Sequence, residues 1–382
     1  LLISSISGMK PVVSLYASSL GASPAEISII VAGFALIPAF LALQIGKWAD
    51  KYGTRQMILI GSSLFILALL VSAIYSNFLM LVLQQLLIGV AFTFMMLSLQ
   101  RSVGNLPGDI DRMVANFSLF GSAGQMIGPI ISTPVYEHFG FQWVCMIHMA
   151  MMLISLFIAL LSQKDAWEDS APAPSAPSRP ADKQGSVWSL LSERNLRNAV
   201  IISGLVISNR ELFAAYFPLL AEQLGFGPSM IGILLAINGF SSLLVRFGQP
   251  ALIRLFGRMN VLTWSMYLSG VIYLIMPFSP WLIVMAVLMG LVGAGLGLGQ
   301  PLSMAYAIEV SPPDRKGEVL GLRITVNRSS QVAIPLIFGG IGGLAGASAV
   351  FLASGGVLML FGYLTRPLPT DQQKKEKPGV QM

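Results

Sequence analysis

The sequence predicts an all-α membrane protein with twelve transmembrane helices in two pseudo-symmetric bundles of six helices. The first indication is composition: 55% of the 382 residues are hydrophobic and 10% are charged, whereas a soluble domain carries about 25% charged residues. The second is a series of twelve apolar runs, each close to the roughly 20 residues that a helix needs to cross a bilayer. The third is a polar stretch that divides these runs into six and six.

The twelve runs are distributed along the whole chain. They cover approximately residues 1–20, 25–46, 56–76, 78–100, 113–136, 141–162, 197–221, 228–250, 259–278, 280–306, 317–342 and 346–365. The stretch after the sixth run is rich in Pro, Ala and Ser, a composition that cannot bury enough apolar surface to fold alone. We therefore predict an N-terminal six-helix bundle, a cytoplasmic Pro/Ala/Ser-rich linker, a C-terminal six-helix bundle and a cytoplasmic tail, in residues 1–163, 164–196, 197–366 and 367–382.

The distribution of Lys and Arg predicts the orientation. Alternate breaks between the runs contain no Lys or Arg; they lie near residues 23, 77, 138, 225, 279 and 344. Cytoplasmic loops are enriched in cations, so we expect a multi-pass protein of the cytoplasmic membrane with both termini in the cytoplasm. The net charge of +6 then reflects loops that face the cytoplasm, and no nucleic acid is expected as a partner.

The two halves share a short repeat. Leu20-Gly21-Ala22-Ser23-Pro24 recurs 204 residues later as Leu224-Gly225-Phe226-Gly227-Pro228, and the same shift places Gly53 on Gly257. This repeat agrees with the division at the linker. Transporters built from such repeats bind their substrates at the interface between the repeats.

A charged segment at residues 46–55 separates the second and third runs. It must lie in water because it joins two membrane-length helices, and its cations place it in the cytoplasm. Its residue order resembles the loop 2–3 signature of the major facilitator superfamily: Gly, then small-Asp, basic, any, Gly, then basic. The matching residues are Gly46, Ala49, Asp50, Lys51, Gly53 and Arg55. The simpler alternative is an ordinary charged loop.

From this loop we predict a cytoplasmic gate. Asp50 is expected to face the N-terminus of the helix that begins near residue 315 in the outward-open state, because the helix dipole attracts an anion. Arg55 is expected to pair with Asp109 or Asp111, in the break after the fourth run. The gate residues are Gly46, Asp50, Lys51, Gly53, Arg55 and Asp109.

The fifth run carries a second motif. Gly124 and Gly128 are four residues apart on one helix face and permit close approach of another helix, and Pro129 removes a backbone hydrogen bond. The segment is similar to the fifth-helix signature of superfamily antiporters, except that Ser132 and Thr133 replace its last two glycines. The alternative is a small-residue packing face.

The resemblance covers the whole chain and implies two bundles around a central cavity that opens alternately to each side. One position departs from it: Gln85 stands in the fourth run where many proton-coupled members have Arg. That substitution puts the usual account of proton coupling in the N-terminal half in doubt.

Ionisable residues at bilayer depth are costly and are functional candidates by default. The predicted substrate and coupling cavity contains Lys10, Gln85, Arg210, Glu211, Gln300 and Arg328. Glu211 is the acid near mid-depth, so coupling is expected to run through it. Structural alternatives stay open, including an Arg210–Glu211 pair and a Lys10 bonded to backbone carbonyls. An excess of cations in the cavity favours an anionic or amphipathic substrate.

The leading functional hypothesis is secondary active transport of a small organic solute by a monomer, as proton-coupled export. The alternatives are multidrug efflux of lipophilic compounds, lipid or lysolipid flipping, and a membrane sensor that does not transport. The sequence contains no nucleophile–base set, zinc motif or nucleotide-binding glycine loop. With one Cys and two His, it predicts neither an enzyme nor a metal or cofactor.

Overall fold

The computed structural model describes residues 1–75, 77–105, 110–161, 192–311 and 316–365. This part of the chain is almost entirely helical and contains no β-strand. Its α-helices are α1 (Leu2–Ser19), α2 (Pro24–Ile74), α3 (Phe78–Asn105), α4 (Ile110–Phe139), α5 (Phe141–Leu161), α6 (Arg194–Gln223), α7 (Pro228–Phe256), α8 (Arg258–Ile275), α9 (Leu282–Glu309) and α10 (Lys316–Leu364). The predicted linker, apart from residues 192–196, and the whole predicted tail lie outside the described residues.

Two helices are too long to cross a bilayer once. At about 1.5 Å per residue, the 51 residues of α2 and the 49 residues of α10 would exceed the roughly 30 Å hydrocarbon core more than twofold. Each is interrupted at one glycine: Gly53 has φ 80° and ψ 161°, and Gly346 has φ 80° and ψ 176°. Residues with a side chain rarely adopt these backbone angles, which are essentially restricted to glycine.

The sequence repeat is also a repeat of backbone conformation. Glycines with positive φ occur in pairs at nearly the same separation, Gly21 with Gly225, Gly53 with Gly257 and Gly140 with Gly346. The residues that precede α2 and α7 match as well, because Ser23 has φ −66° and ψ 158° and Gly227 has φ −69° and ψ 160°. Each of these residues is followed by a proline at the first helical position.

Nine segments within the described residues are long and apolar enough to cross a membrane. They include two segments of α2, Pro24–Leu41 and Tyr52–Ile74, and one long segment of α10. Helices α1 and α4, which the sequence predicted as spans, are not among the nine. The reason is their polar content: α1 carries six serines and Lys10, and most of its residues are buried against other helices.

Helix α1 lies inside the molecule, packed mainly against α4 and α6. Across the two halves of the sequence, α2 also packs against α10, and α4 against α7. The pairs α1–α6, α2–α10 and α4–α7 join the two halves and position the charged residues described next.

Candidate functional site

An ion pair joins the two halves of the sequence at the centre of the molecule. The Lys10 Nζ of α1 lies 2.5 Å from the Glu211 Oε2 of α6, and both side chains are largely buried. The same ammonium lies 5.0 Å from the centroid of the Phe34 ring, a cation–π distance. Glu211 therefore forms its ion pair with Lys10 of the other half, and its charge also acts on the neighbouring Arg210.

A small cavity borders this ion pair. Its volume is about 20 Å³, which is room for about one water molecule. It is lined by Lys10, Val13, Val31, Phe34, Gln85, Glu211, Ala214 and Ala215. The structure thus places Lys10, Gln85 and Glu211, three of the six predicted cavity residues, around one small cavity.

The two other predicted cations point elsewhere. Arg210 donates through Nη2 to Gln125 Oε1 of α4. Arg328 donates through Nη1 to Gln331 Oε1 of its own helix at 3.2 Å, and the charge of Glu211 acts on it electrostatically. The side chain of Gln300 lies outside the described residues. Of the predicted cavity residues, Lys10 and Glu211 therefore form the ion pair, whereas Arg210 and Arg328 hydrogen-bond to glutamines and interact with Glu211 only through their charge.

The structure describes the predicted gate only in part. Gly46, Asp50 and Lys51 belong to α2, but their side chains and all of Asp109 lie outside the described residues. Arg55 donates from Nε to the Ala159 carbonyl at 2.9 Å and from Nη2 to the Leu160 carbonyl at 2.8 Å. A cation at a helix C-terminus is stabilised by the exposed carbonyls and the helix dipole, so the described partners of Arg55 are the end of α5.

The fifth-run motif forms a packing face against α1. A Cβ at Gly128 would lie 2.3 Å from the Ser4 carbonyl oxygen, and one at Gly124 would lie 3.1 Å from the Ser4 amide nitrogen. Pro129 lies on the other side, where its carbonyl oxygen would be 2.8 Å from a Cβ at Gly232 of α7. These distances match the small-residue alternative: α4 is held between α1 and α7 at close range.

Sequence analysis missed several contacts between the halves, at the end of the molecule that it predicted to face outward. Ser18 donates to Glu222 at 3.2 Å, and the Tyr216 hydroxyl donates to the Pro24 carbonyl at 2.8 Å. The Glu137 carboxylate accepts from the Ser229 amide at 2.8 Å. The side chain and amide of Ser229 hold the pKa of Glu137 below its ordinary value. The repeated loops indicated this end, but not which residues would meet.

The apolar helices are those of a multi-pass membrane protein, and a buried ion pair joins the two halves of its sequence. Among the described residues, no group of three or more His, Cys, Asp or Glu side chains is placed to hold a metal ion. The family model of the Major Facilitator Superfamily matches residues 1–208 and 199–381. The chain belongs to this superfamily, as its loop and helix motifs indicated.

The relatives are distant but similar over most of their length. The chain is 23% identical over 329 residues to an uncharacterized MFS-type transporter, MJ1560, of Methanocaldococcus jannaschii, covering 83% of this chain and 82% of that protein. It is 21% identical over 356 residues to the quinolone resistance protein NorA of Staphylococcus aureus, covering 90% and 88%.

Two solved structures share the fold. The nucleoside transporter NupG superimposes with a TM-score of 0.78 at 15% identity over 95% of both chains. The peptide transporter POT in complex with sulfate superimposes with a TM-score of 0.73 at 16% identity, over 95% of this chain and 91% of that chain. At these identities the likeness concerns the fold alone.

Proposed function

We propose that the chain crosses the cytoplasmic membrane twelve times, as two bundles of six helices, with both termini in the cytoplasm. The interruptions at Gly53 and Gly346 support this count, because each divides a long helix into two segments of spanning length. The paired positive-φ glycines support two similar halves. The cation-free loops at the contacting ends support the orientation.

Within this architecture, we propose secondary active export of a small organic solute in exchange for protons, by a monomer that alternates its access. The observation that carries the proposal is the Lys10–Glu211 ion pair between the halves. Protonation of Glu211 would remove one charge and weaken the attraction between α1 and α6. Because breaking a buried pair leaves a costly unpaired charge, proton binding and separation of the halves would be coupled.

A second candidate is efflux of lipophilic drugs, which the name of the relative NorA suggests. Large apolar side chains in the cavity would favour it, and Phe34 lies in the cavity lining. The two candidates differ in the preferred solute, which is anionic or amphipathic for the first and a lipophilic drug for the second.

Transport by the purified chain in proteoliposomes tests the proposal. A panel of anionic, neutral and cationic solutes is presented under an imposed pH gradient, and the gradient is then collapsed with a protonophore. Proton-coupled export predicts accumulation of at least one solute that disappears with the gradient. Accumulation that persists after collapse contradicts proton coupling, and no flux of any solute contradicts transport of this panel.

A further inference from the structure

Two arginines of the second half approach one short stretch of α4. Arg210 of α6 donates to Gln125, and Arg246 of α7 donates through Nη1 to Ser122 Oγ at 3.0 Å. Ser122 and Gln125 are three residues apart on one helix, so their Cβ atoms are neighbours at about 5–6 Å. The two guanidinium groups therefore converge on the same face of α4.

The convergence is electrostatically unbalanced. The two arginines act on each other as like charges, and both described acceptors, Ser122 and Gln125, are neutral. Within the described residues, the ion pairs shorter than 4.0 Å are Lys10–Glu211 and Arg258–Glu309. Glu211 forms its ion pair with Lys10, although its charge also acts on Arg210, and neither of these ion pairs includes Arg246.

Hydrogen-bonding capacity is also left over. Arg246 Nε is buried and has no hydrogen-bond partner among the described residues. A guanidinium carries five N–H donors in a planar fork that matches the two oxygens of a carboxylate or phosphate. Convergent cations with spare donors are what an oxyanion requires.

Arg246 and Ser122 both lie well inside their helices. Arg246 lies ten residues before the end of α7 at Phe256, and Ser122 lies twelve residues after the start of α4 at Ile110. At 1.5 Å per residue, both positions are about 15–18 Å from those helix ends. Uncompensated cations are expensive at such depth, and a bound anion would offset that cost.

We infer that Arg210 and Arg246, with Ser122 and Gln125 beside them, form a binding site for an oxyanion group, a carboxylate or a phosphate. The inference rests on the proposed function, because it takes the ligand to be the exported solute. That solute would then be an organic acid or a phosphate ester. An anionic phospholipid headgroup offers the same chemistry, so the experiment separates the two sources.

Binding is measured on the full chain in nanodiscs of phosphatidylcholine alone, by calorimetric titration and by thermal unfolding. The probes are phenyl phosphate and benzoate, with benzyl alcohol as the neutral comparison. We expect both anions to bind and to raise the unfolding temperature, and benzyl alcohol to do neither. Arg246→Gln and Arg210→Gln should each lower anion affinity at least about tenfold, the equivalent of about 1.4 kcal/mol.

Arg254→Gln is the matched control. Arg254 lies on the same helix, two turns beyond Arg246, and is exposed, so its loss should leave anion affinity unchanged. The site is contradicted if neither anion binds, or if both arginine variants bind the anions as well as wild type does.

Gln125→Glu keeps the test decisive if the arginine variants do not fold. This nearly isosteric change places a permanent carboxylate beside Arg210. We expect a higher unfolding temperature without ligand and a loss of phenyl phosphate binding. Wild-type binding by this variant would contradict the site.

Nanodiscs with one-third phosphatidylglycerol separate the ligand sources. Stabilisation that depends on Arg246 and competes with phenyl phosphate would identify a lipid headgroup as occupant; absence of competition would identify a free solute. Binding needs no gradient and no turnover. A chain that binds anions but transports no solute would support the site and contradict the proposed function. Transport without anion binding would support the proposed function and contradict the site.

Discussion

At the scale of single residues, Glu211 combines two properties that a coupling residue needs. It holds Lys10 from the opposite half of the sequence, and it borders a cavity with room for about one water molecule. A proton that reaches this carboxylate would therefore change the attraction between α1 and α6.

Glu211→Gln should abolish accumulation driven by a pH gradient while retaining exchange of solute across the membrane. The amide keeps a hydrogen-bond acceptor for Lys10 but cannot take up or release a proton. Accumulation and counterflow are measured separately in proteoliposomes. Glu193→Gln is the control, since Glu193 is an exposed acid next to the start of α6. Accumulation by the Glu211 variant against a gradient would place coupling elsewhere.

The cost of burying charge made Lys10, Arg210 and Glu211 recognisable from sequence alone. Their partners were not recognisable. Lys10 and Glu211 are 201 residues apart, and their meeting depends on how α1 packs against α6. The contact of Arg246 with Ser122 likewise depends on how α7 packs against α4.

At the scale of helices, the close contact of α1 with α4 fixes where Lys10 lies. A Cβ at Gly8 would be 2.8 Å from the Gly128 carbonyl oxygen, and a Cβ at Gly128 would be 2.8 Å from the Gly8 amide nitrogen. Backbone atoms cannot yield as a flexible side chain can, so these two helices require glycine at both positions.

Gly128→Ala should therefore lower the unfolding temperature, since overpacking typically costs about 1–3 kcal/mol, and it should reduce transport by displacing Lys10. Gly121→Ala on the same helix is the control. A Cβ there has no atom within 4 Å, and alanine is favoured over glycine in a helix by roughly 0.5–1 kcal/mol. We expect unchanged or raised stability from the control. Equal effects of the two changes on thermal unfolding would contradict this account of the packing.

The gate prediction also belongs to this scale. Asp50 lies in α2 just before the interruption at Gly53. Asp50→Asn should leave membrane insertion and unfolding temperature intact but lower the turnover rate roughly fivefold, because an anion at a helix N-terminus is worth about 1 kcal/mol. Asp50→Glu retains the charge and should restore much of the rate. Full transport by the asparagine variant would reject the gate.

Helix boundaries followed from sequence more reliably than membrane spans did. The charged segment 46–55 predicted the break in α2, and the structure reduces that break to one glycine. Apolar character was a weaker guide for α1, because its serines and Lys10 are sheltered by neighbouring helices. A helix inside a bundle needs less apolar surface than one that faces lipid.

At the scale of the whole molecule, the contacts at the predicted outer end hold the halves together in the conformation described. Bridging Ser18→Cys and Glu222→Cys with a short, reducible cross-linker should stop transport, and a reductant should restore it. The native Cys145 is buried and should not react. Each single variant serves as a control, and transport by the cross-linked chain would show that this end need not open.

Acid outside the cell should loosen the same end. The pKa of Glu137 lies below its ordinary value of about 4.5, so the contact favours the ionised carboxylate. Its stabilisation is present above pH 4.5 and is lost as pH falls through the lowered pKa. Labelling of Ser18→Cys by an impermeant maleimide should accelerate over that range.

In the Ser18→Cys background, Glu137→Gln should allow rapid labelling at every pH. Glu26→Gln is the control, because Glu26 lies at the same end and its hydrogen bonds among the described residues go to Ser23 at the start of its own helix. A Glu137 variant whose labelling still follows external pH as in wild type would assign the effect to another group.

The interruption at Gly346 has a consequence for chirality. A Cβ at this position would meet no atom within 4 Å, so space does not require glycine there; the positive φ does. A D-amino acid has the mirror-image preference and adopts positive φ without strain. D-alanine introduced by semisynthesis should therefore carry less backbone strain at residue 346 than L-alanine, which should lower the unfolding temperature more. What this turn selects is the handedness of its residue.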